Sequence, residues 1–252
     1  MSRVVYGIQP VREVLRVHGP SAKGLVLQEG DNPKVAGLAR LAASRGVGVQ
    51  FVPRGELDRR TKNAMHQGAL VEAPDLVLVD PAELLAEYES LSPADHNAPA
   101  LVLLDGVMDP QNFGAVVRSA VALGAPTIVW PEHGSAPLTP ATFRASAGAI
   151  EHARLCRVRN LVDFVQRLEQ LAFVVAVLDA HGEHVLEDLP LTGPVALVVG
   201  AEDKGARPGV RKAATHRARL PMSGVIDSLN ASVAAAVSLY EVTRQRRKLD
   251  SK

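Results

Sequence analysis

The residues best suited to binding or chemistry follow apolar runs of the chain. Asn112 comes shortly after ALVLLD (100–105), and Arg118 stands six residues further on, in a segment with almost no other charge. Glu202 comes directly after VALVVG (195–200). An isolated arginine among apolar helix residues must extend to solvent, pair with an acid or face a functional cleft. Read singly, Asn112 would be a helix cap, Arg118 a surface residue and Glu202 a solvated loop acid.

A third polar stretch, Asp227-Ser228-Leu229-Asn230, follows the run HRARLPM (216–222) and precedes an alanine-rich helix. Ser228 or Asp227 can cap that helix, because their side-chain oxygens accept from free backbone N–H groups of its first turn. We expect Asn230 inside the first turn, where asparagine is a mediocre helix former. Capping therefore explains Ser228 better than Asn230.

The elements that must position these residues alternate between strand and helix. The predicted strands of the second part of the chain are 100–105, 127–130, 153–158, 173–179, 195–200 and 216–222, and several are continuous apolar runs. Such runs predict a mostly parallel sheet with helices on both faces. Ligands bind at the carboxyl ends of strands in such folds, so we expect the three polar stretches to converge on one site.

Composition and motifs exclude several functional classes. Hydrophobic residues make up 47% of the 252-residue chain and charged residues 22%, as in ordinary globular proteins. No apolar run is long enough for a membrane span, and the N-terminal residues lack the apolar core of a signal peptide. The single cysteine, Cys156, excludes an internal disulfide and fits a reducing, cytoplasmic setting, as a half-buried structural thiol. No Cys/His cluster has metal-ligand spacing, so we expect no metal, and no standard dinucleotide or P-loop motif is present.

Charge and pattern divide the chain near residues 75 and 98. Residues 1–75 carry 11 Lys and Arg against 7 Asp and Glu, whereas residues 76–98 carry five acids and no base. We therefore predict a small α/β domain at 1–75, an acidic linker at 76–98 and a larger α/β domain at 99–252. The predicted elements of the small domain are helices at 7–17 and 33–46, strands at 24–27, 47–52 and near 69–73, and a turn at 54–68.

Three segments together resemble the motifs of the SpoU (TrmH-like) RNA 2′-O-ribose methyltransferases. They read LLDGVMDPQNFGAVVRSA, LVVGAEDKGARP and LPMSGVIDSLNASVAAAVSLYE, and they occur in the family's order. The front end, from YGIQPVREVL to HQGALVEA, is similar to the substrate-binding domain of two-domain members. The resemblance implies an enzyme that transfers methyl from S-adenosylmethionine to a ribose 2′-hydroxyl of RNA, with a guanosine of 23S rRNA as the expected target. It also implies a deep trefoil knot in the C-terminal domain and a homodimer.

The resemblance also implies the roles of particular residues. Those that match its active-site positions are Asn112, Arg118, Glu202, Ser228 and Asn230. Those expected to contact the cofactor are Gly200, Leu220, Met222 and Leu229. The front domain would then read RNA, and its best basic patch is Arg54, Arg59, Arg60 and Lys62. Arg207 departs from the family, which often has a hydrophobic residue there, so the local wall of the cofactor site is left open.

Other functions stay open from the sequence. The RNA substrate could be tRNA or another rRNA nucleotide, although the front domain favours rRNA. The protein could instead be a non-catalytic RNA-binding or ribosome-assembly factor that keeps the fold, against which the five active-site matches argue. A nicotinamide oxidoreductase is the weakest alternative, because the glycine fingerprint is missing.

Overall fold

The computed structural model describes residues 2–91 and 98–250, so residues 92–97 of the predicted linker lie outside the described residues. The chain forms two compact units. The first comprises the residues up to Val77 together with Leu138–His152, and the second comprises Leu78–Pro137 together with the residues from Ala153 onward. The sequence did not indicate that 138–152 belongs with the front end.

The first unit contains a four-stranded sheet in the order β1-β4-β2-β3, in which β2 and β3 are parallel and the other pairs antiparallel. Its elements are β1 (Ser2–Tyr6), α1 (Ile8–His18), β2 (Lys23–Gln28), α2 (Pro33–Ser44), β3 (Val49–Val52), α3 (Arg54–Arg60), β4 (Ala69–Pro74) and α6 (Pro140–Ala145). Short 3-10 helices cover Gly19–Ser21 and Ala149–His152. The prediction of a turn at 54–68 was wrong for its first half, because α3 buries Leu57 against the sheet.

An ion-pair cluster helps hold 138–152 within the first unit. The Glu151 carboxylate is fully buried and accepts from both terminal nitrogens of Arg3, at 2.9 and 2.5 Å. His18 Nε2 lies 2.9 Å from the same carboxylate, and the Arg3 guanidinium stacks 4.8 Å above the Phe143 ring. A buried carboxylate is tolerable only when it is paired in this way, and Arg3 is the main partner of Glu151 because it donates two hydrogen bonds to it.

Arg3→Ala is therefore expected to lower the free energy of unfolding of the first unit by about 3 kcal/mol, because it leaves a buried carboxylate short of its main partner. Arg16→Ala is the matched control, since Arg16 pairs with Glu13 at the surface and such pairs contribute less than about 1 kcal/mol. Urea denaturation followed by far-ultraviolet circular dichroism measures the free energy of unfolding of both variants. Equal stability of the two variants would contradict this account of the cluster.

The second unit contains an eight-stranded sheet in the order β10-β12-β9-β11-β6-β7-β8-β5, and every neighbouring pair is parallel. Its strands are β5 (Leu78–Val79), β6 (Ala100–Asp105), β7 (Thr127–Pro131), β8 (Arg154–Val158), β9 (Val174–Leu178), β10 (His184–Val185), β11 (Val195–Gly200) and β12 (His216–Arg219). Its helices are α4 (Pro81–Tyr88), α5 (Pro110–Ala122), α7 (Leu161–Gln170), α8 (Pro208–Ala213) and α9 (Ala231–Asp250), with a 3-10 turn at Leu186–Asp188. The prediction of an α/β fold with a mostly parallel sheet is confirmed.

The centre of this sheet is covered on both faces. Every residue of β6, β7 and β11 is buried, although side chains alternate between the two faces of a strand. Such strands read as continuous apolar runs, and this is why the sequence identified them so readily. Among the helices, α5 packs against α9, and α9 also contacts β11. α5 also contacts β7, so the helix that carries Asn112 and the helix that follows Asn230 both lie against central strands of the sheet.

Residues 78–91 of the segment predicted as a linker belong to the second unit. Leu78 and Val79 pair with Leu155 and Cys156, and α4 follows them. The helix buries Leu84 and Tyr88 in the main core while its acidic residues face outward. The acidic residues belong to the exposed face of a helix. Because they dominate the composition of the segment, the sequence suggested a solvent-exposed linker.

Cys156 is completely buried, and this burial raises the pKa of its thiol to about 12. The expectation of a half-buried thiol was therefore wrong, but a thiol in this state is not a nucleophile at neutral pH, which agrees with a structural role. Within the described ranges, no group of His, Cys, Asp and Glu could hold a metal ion. No helix in the same ranges is long and apolar enough to cross a membrane.

Candidate active site

A cavity of about 300 Å³ lies at the carboxyl ends of β9, β11 and β12. Four lining residues are those predicted to contact a cofactor: Gly200, Leu220, Met222 and Leu229. Glu202 and Ser228 line it as well. The position at the strand ends is where parallel α/β sheets bind ligands. The structure thus brings two of the three predicted stretches together around a single cavity.

The cavity wall at Gly200 is formed by a loop that folds back on its own strand. Ala201 N donates to Gly205 O at 3.1 Å and Gly205 N donates to Ala201 O at 2.8 Å, which closes residues 201–205 into a tight turn. A Cβ at position 200 would lie 2.1 Å from Ala206 N and 2.2 Å from Gly205 C. Only glycine allows this approach, so backbone atoms rather than a side chain form the wall.

Three predicted active-site residues form one hydrogen-bonded network beside this cavity. The Asn112 amide donates to Glu202 Oε1, and the Asn230 amide donates to the same oxygen at 2.8 Å. Asn230 Nδ2 also lies 3.0 Å from Asn112 Oδ1, which accepts from it. The network joins the first turn of α5, the loop after β11 and the start of α9. Two amide groups that donate to one carboxylate oxygen fix the direction of the Glu202 side chain.

Neither asparagine is placed as a simple capping analysis expects. Asp109 caps α5, since its Oδ1 accepts from Gln111 N at 3.0 Å, so the side chain of Asn112 is free to reach Glu202. The placement of Asn230 inside a first turn was wrong: α9 begins at Ala231, and Asn230 is its cap. Its Oδ1 accepts from Ser232 N at 2.9 Å while its amide holds the network. Ser228 lines the cavity and does not cap the helix, so that part of the prediction was also wrong.

Arg118 does not join the network. It lies about 9 Å along α5 from Asn112 and about 240° around the helix, because six residues make one and two-thirds turns. Its side chain is exposed, and no described residue forms a hydrogen bond or ion pair with it. An exposed guanidinium of this kind is available to a phosphate from outside the chain.

Two buried or half-buried acids at other strand ends escaped the sequence analysis. Asp179 follows β9 and lines the cavity, where His181 N donates to it at 2.9 Å and Arg217 lies 3.2 Å away. Burial opposes its ionisation, but the His181 N–H and the arginines outweigh that effect and lower the pKa of Asp179. The carboxylate therefore stays negative at neutral pH. The signal was present, since FVVAVLD is an apolar run that ends in an acid.

Asp105, at the end of β6, explains the departure at Arg207. Its carboxylate is buried and accepts from Arg207 N and Arg207 Nε, both at 2.6 Å. Arg207 is thus turned toward Asp105 and is not among the residues that line the cavity. The polar side chain at this position anchors the loop after β11 and leaves the cavity wall intact.

Three residues of the predicted basic patch lie on α3, and the fourth, Lys62, lies two residues beyond its end. Arg59 and Arg60 both pair with Glu56, and Arg54 Nε lies 3.8 Å from Asp58. Lys62 is exposed with a positive φ of 53°. The patch is therefore basic overall but partly neutralised by acids of its own helix, which lowers the field that it presents to a nucleic acid.

Comparison with known proteins gives consistent matches along the chain. The SpoU rRNA Methylase family model matches residues 99–240, and a model for RNA 2′-O ribose methyltransferase substrate binding matches residues 4–76. A protein of Mycobacterium sp. (strain KMS), named an uncharacterized tRNA/rRNA methyltransferase, is 39% identical over 98% of this chain and 77% of its own length.

Two solved structures extend the likeness to both units. An rRNA methyltransferase from Sinorhizobium meliloti with AdoMet bound has a TM-score of 0.73 at 25% identity, covering 97% of this chain and 87% of its own. A structure of an RNA 2′-O ribose methyltransferase has a TM-score of 0.75 at 27% identity, covering 98% of this chain and 89% of its own.

Proposed function

Because this chain belongs to the SpoU rRNA methylase family and is an S-adenosylmethionine-dependent RNA methyltransferase, we propose that its acceptor is a ribose 2′-hydroxyl, in a guanosine of 23S rRNA. The observation that carries the proposal is the network of Asn112, Glu202 and Asn230 beside the cavity. A family match alone would not require three polar residues from distant parts of the chain to converge beside a single cavity.

The cavity suits S-adenosylmethionine by its own chemistry. Gly200 and the turn that covers it present backbone groups, and Leu220 and Leu229 add apolar surface. The carboxylates of Asp179 and Glu202 lie in the same wall, where they favour a cationic ligand. When bound, S-adenosylmethionine supplies an electrophilic methyl group on a sulfonium centre. The residues of this chain hold that centre away from water and direct the acceptor toward it.

Arg118 and the network would divide the work of aligning the RNA. The exposed Arg118 guanidinium pairs with a substrate phosphate through two parallel N–H bonds and thereby orients the ribose. Glu202, held by Asn112 and Asn230, fixes the polar edge of the cavity against which the ribose hydroxyl is placed. Ser228 lines the same cavity and would help to shape the cofactor pocket. Alignment of two reacting centres alone can supply several kcal/mol of barrier lowering.

The first unit would supply RNA recognition, and ribosomal RNA is the better-supported substrate class. The substrate-binding model covers most of the first unit, and the similar rRNA methyltransferase aligns with nearly the whole chain. We keep Arg54, Arg59, Arg60 and Lys62 as proposed RNA contacts, although ion pairs within α3 weaken the first three. A tRNA substrate would be favoured instead if purified tRNA were methylated faster than deproteinised rRNA.

We further propose that two copies of the chain form a homodimer through α9, and that the C-terminal unit is knotted as in the family. Val233, Val237 and Tyr240 are exposed on α9 at spacings of four and three residues, which places them on one face of the helix. An apolar face of this kind on a helix that starts at the active-site network is best covered by a second copy. Sedimentation of the purified chain measures this directly.

A non-catalytic RNA-binding factor is the competing proposal, and calorimetry with S-adenosylmethionine separates the two. An enzyme binds the cofactor and transfers tritiated methyl from it to deproteinised 23S rRNA. A binding factor with the same fold binds the RNA alone. No measurable cofactor affinity would remove the enzymatic proposal.

Asn230→Ser is expected to lower kcat by about a hundredfold with the helix intact, because serine still caps α9 but cannot donate to Glu202 and Asn112. Asn160→Ser is the matched control, since Asn160 caps α7 with a bond to Val162 N at 3.0 Å and contributes to no described network. Single-turnover methylation and thermal melting are measured for both. Wild-type activity in Asn230→Ser would remove the network from the mechanism.

A further inference from the structure

A second cavity, entirely within the first unit, is unusually rich in amide side chains. It measures about 850 Å³ and lies among α1, α2, the start of α3 and the 61–68 loop. We call it the amide cleft, after its five amide residues: Gln9, Gln28, Asn32, Asn63 and Gln67. The chain has 14 Asn and Gln residues, so more than a third of them line this one cleft. Amides both donate and accept, which suits them to the mixed edge of a nucleobase.

The cleft is also basic. Arg12, Lys34 and Arg54 line it, against the single carboxylate of Asp58. Asp58 is already engaged, because His66 Nε2 lies 2.9 Å from its Oδ1 and Arg54 Nε lies 3.8 Å from its Oδ2. Lys34 is exposed and has no ion pair with another described residue. The cleft therefore keeps a positive field suited to phosphate.

The loop that forms one wall is held in an uncommon backbone conformation. Lys62, Asn63 and Gln67 have φ of 53°, 59° and 53°, which makes three of the five described non-glycine residues with positive φ. His66 fixes this loop, since it is buried, accepts from Gly68 N at 2.9 Å through Nδ1 and reaches Asp58 through Nε2. Backbone strain that is maintained by such contacts concentrates at functional sites.

Met65 completes the lining. Its side chain is 69% exposed at the centre of the same loop, among polar neighbours. Among the described residues of the first unit, none covers the Met65 side chain. A flexible thioether packs well against the face of an aromatic ring, and an unstacked base offers such a face.

We propose that the amide cleft binds one unpaired nucleotide of the RNA substrate. Lys34 and Arg54 take its flanking phosphates, the amides read the edge of the base, and Met65 packs on its face. This inference rests on the proposed function and deepens it, because it gives sequence selectivity to a cleft that shares only Arg54 with the α3 basic patch. Recognition of a single base suits RNA, whose sequence is read mainly where strands are unpaired.

The test compares two double variants of the full chain for binding to deproteinised 23S rRNA across a salt series. In Lys34→Ala/Arg54→Ala the cleft loses two cations, and in Arg40→Ala/Arg45→Ala the same unit loses two exposed cations outside it. We expect the cleft variant to bind roughly tenfold to a hundredfold more weakly, with a salt slope lower by about 1.4. The control should keep the wild-type slope.

A third variant, Asn63→Gly, removes an amide at a position whose φ suits glycine, so it should not disturb the loop. We expect weaker binding at every salt concentration with the slope unchanged, because a base contact rather than a phosphate contact is lost. Melting and S-adenosylmethionine affinity check the fold of each variant. Equal binding by the cleft and control variants, with Asn63→Gly as wild type, would overturn the cleft proposal. A wild-type chain that transfers no methyl to RNA would instead overturn the proposed function.

Discussion

Arg118→Ala is expected to lower kcat for RNA methylation by about a thousandfold while the affinity for S-adenosylmethionine stays at the wild-type value. The physical reason is that Arg118 is exposed on α5 and has no partner among the described residues, so its role depends on the RNA. Arg167→Ala is the matched control, because Arg167 is an exposed arginine on α7 that bonds only to Gln170 among the described residues. A single-turnover assay with saturating cofactor measures both variants.

Arg118→Lys then distinguishes the two roles open to this residue. A guanidinium is protonated at all ordinary pH values, which makes it a poor general base without a special environment. Arg118 is exposed, and no described residue forms a hydrogen bond or ion pair with it. We therefore expect Arg118→Lys to keep measurable turnover with a raised KM, since lysine can still meet a phosphate as a point charge. Near-total loss with RNA binding retained would favour the base role.

Gly200→Ala is expected to abolish S-adenosylmethionine binding and to lower the melting temperature. A Cβ there would lie 2.1 Å from Ala206 N, so the turn over the cavity must move, and backbone cannot give way as a flexible side chain can. Gly209→Ala is the matched control, because its Cβ would lie 3.2 Å from a movable methyl of Val162. Calorimetry with the cofactor and a thermal melt measure the two effects. Wild-type affinity in Gly200→Ala would place the cofactor elsewhere.

Most of the parallel sheet could be predicted because its strands are long apolar runs. The elements that were missed are short or carry an unfavourable composition. β1 begins with Ser2 and Arg3, and β5 has only two residues. The helix after β5 has a strongly acidic outer face, which suggested a linker. The secondary structure of such segments is determined by packing against the core and not by their local sequence pattern.

The candidate site was predictable to the extent that it depends on strand ends. That rule led to Asn112, Glu202 and Asn230, which the structure brings within hydrogen-bond distance. The strand-end rule did not predict that Asn230 both caps α9 and holds the network. Whether Asn230 is the cap or a first-turn residue depends on a one-residue shift of the helix start, which the sequence does not specify. Asp105 and Asp179 obey the same rule, but each stands at the end of an apolar run, before the polar loop, so the loop residues did not indicate them.

The amide cleft could not be found from sequence. Its five amides come from residues 9 to 67, on one helix, the cap of a second helix, one strand and a loop. No local spacing links them, so only the folded unit brings them together. The charge pattern pointed to α3 instead, where Glu56 neutralises part of the patch that the sequence suggested.

A map of 2′-O-methyl positions in total RNA from cells with and without the protein tests whether this chain methylates a ribose 2′-hydroxyl of 23S rRNA. We expect a single guanosine of 23S rRNA to lose its 2′-O-methyl group in the absence of the chain and to regain it when the wild-type chain is restored. Identical maps of 23S rRNA with and without the protein would contradict the claim.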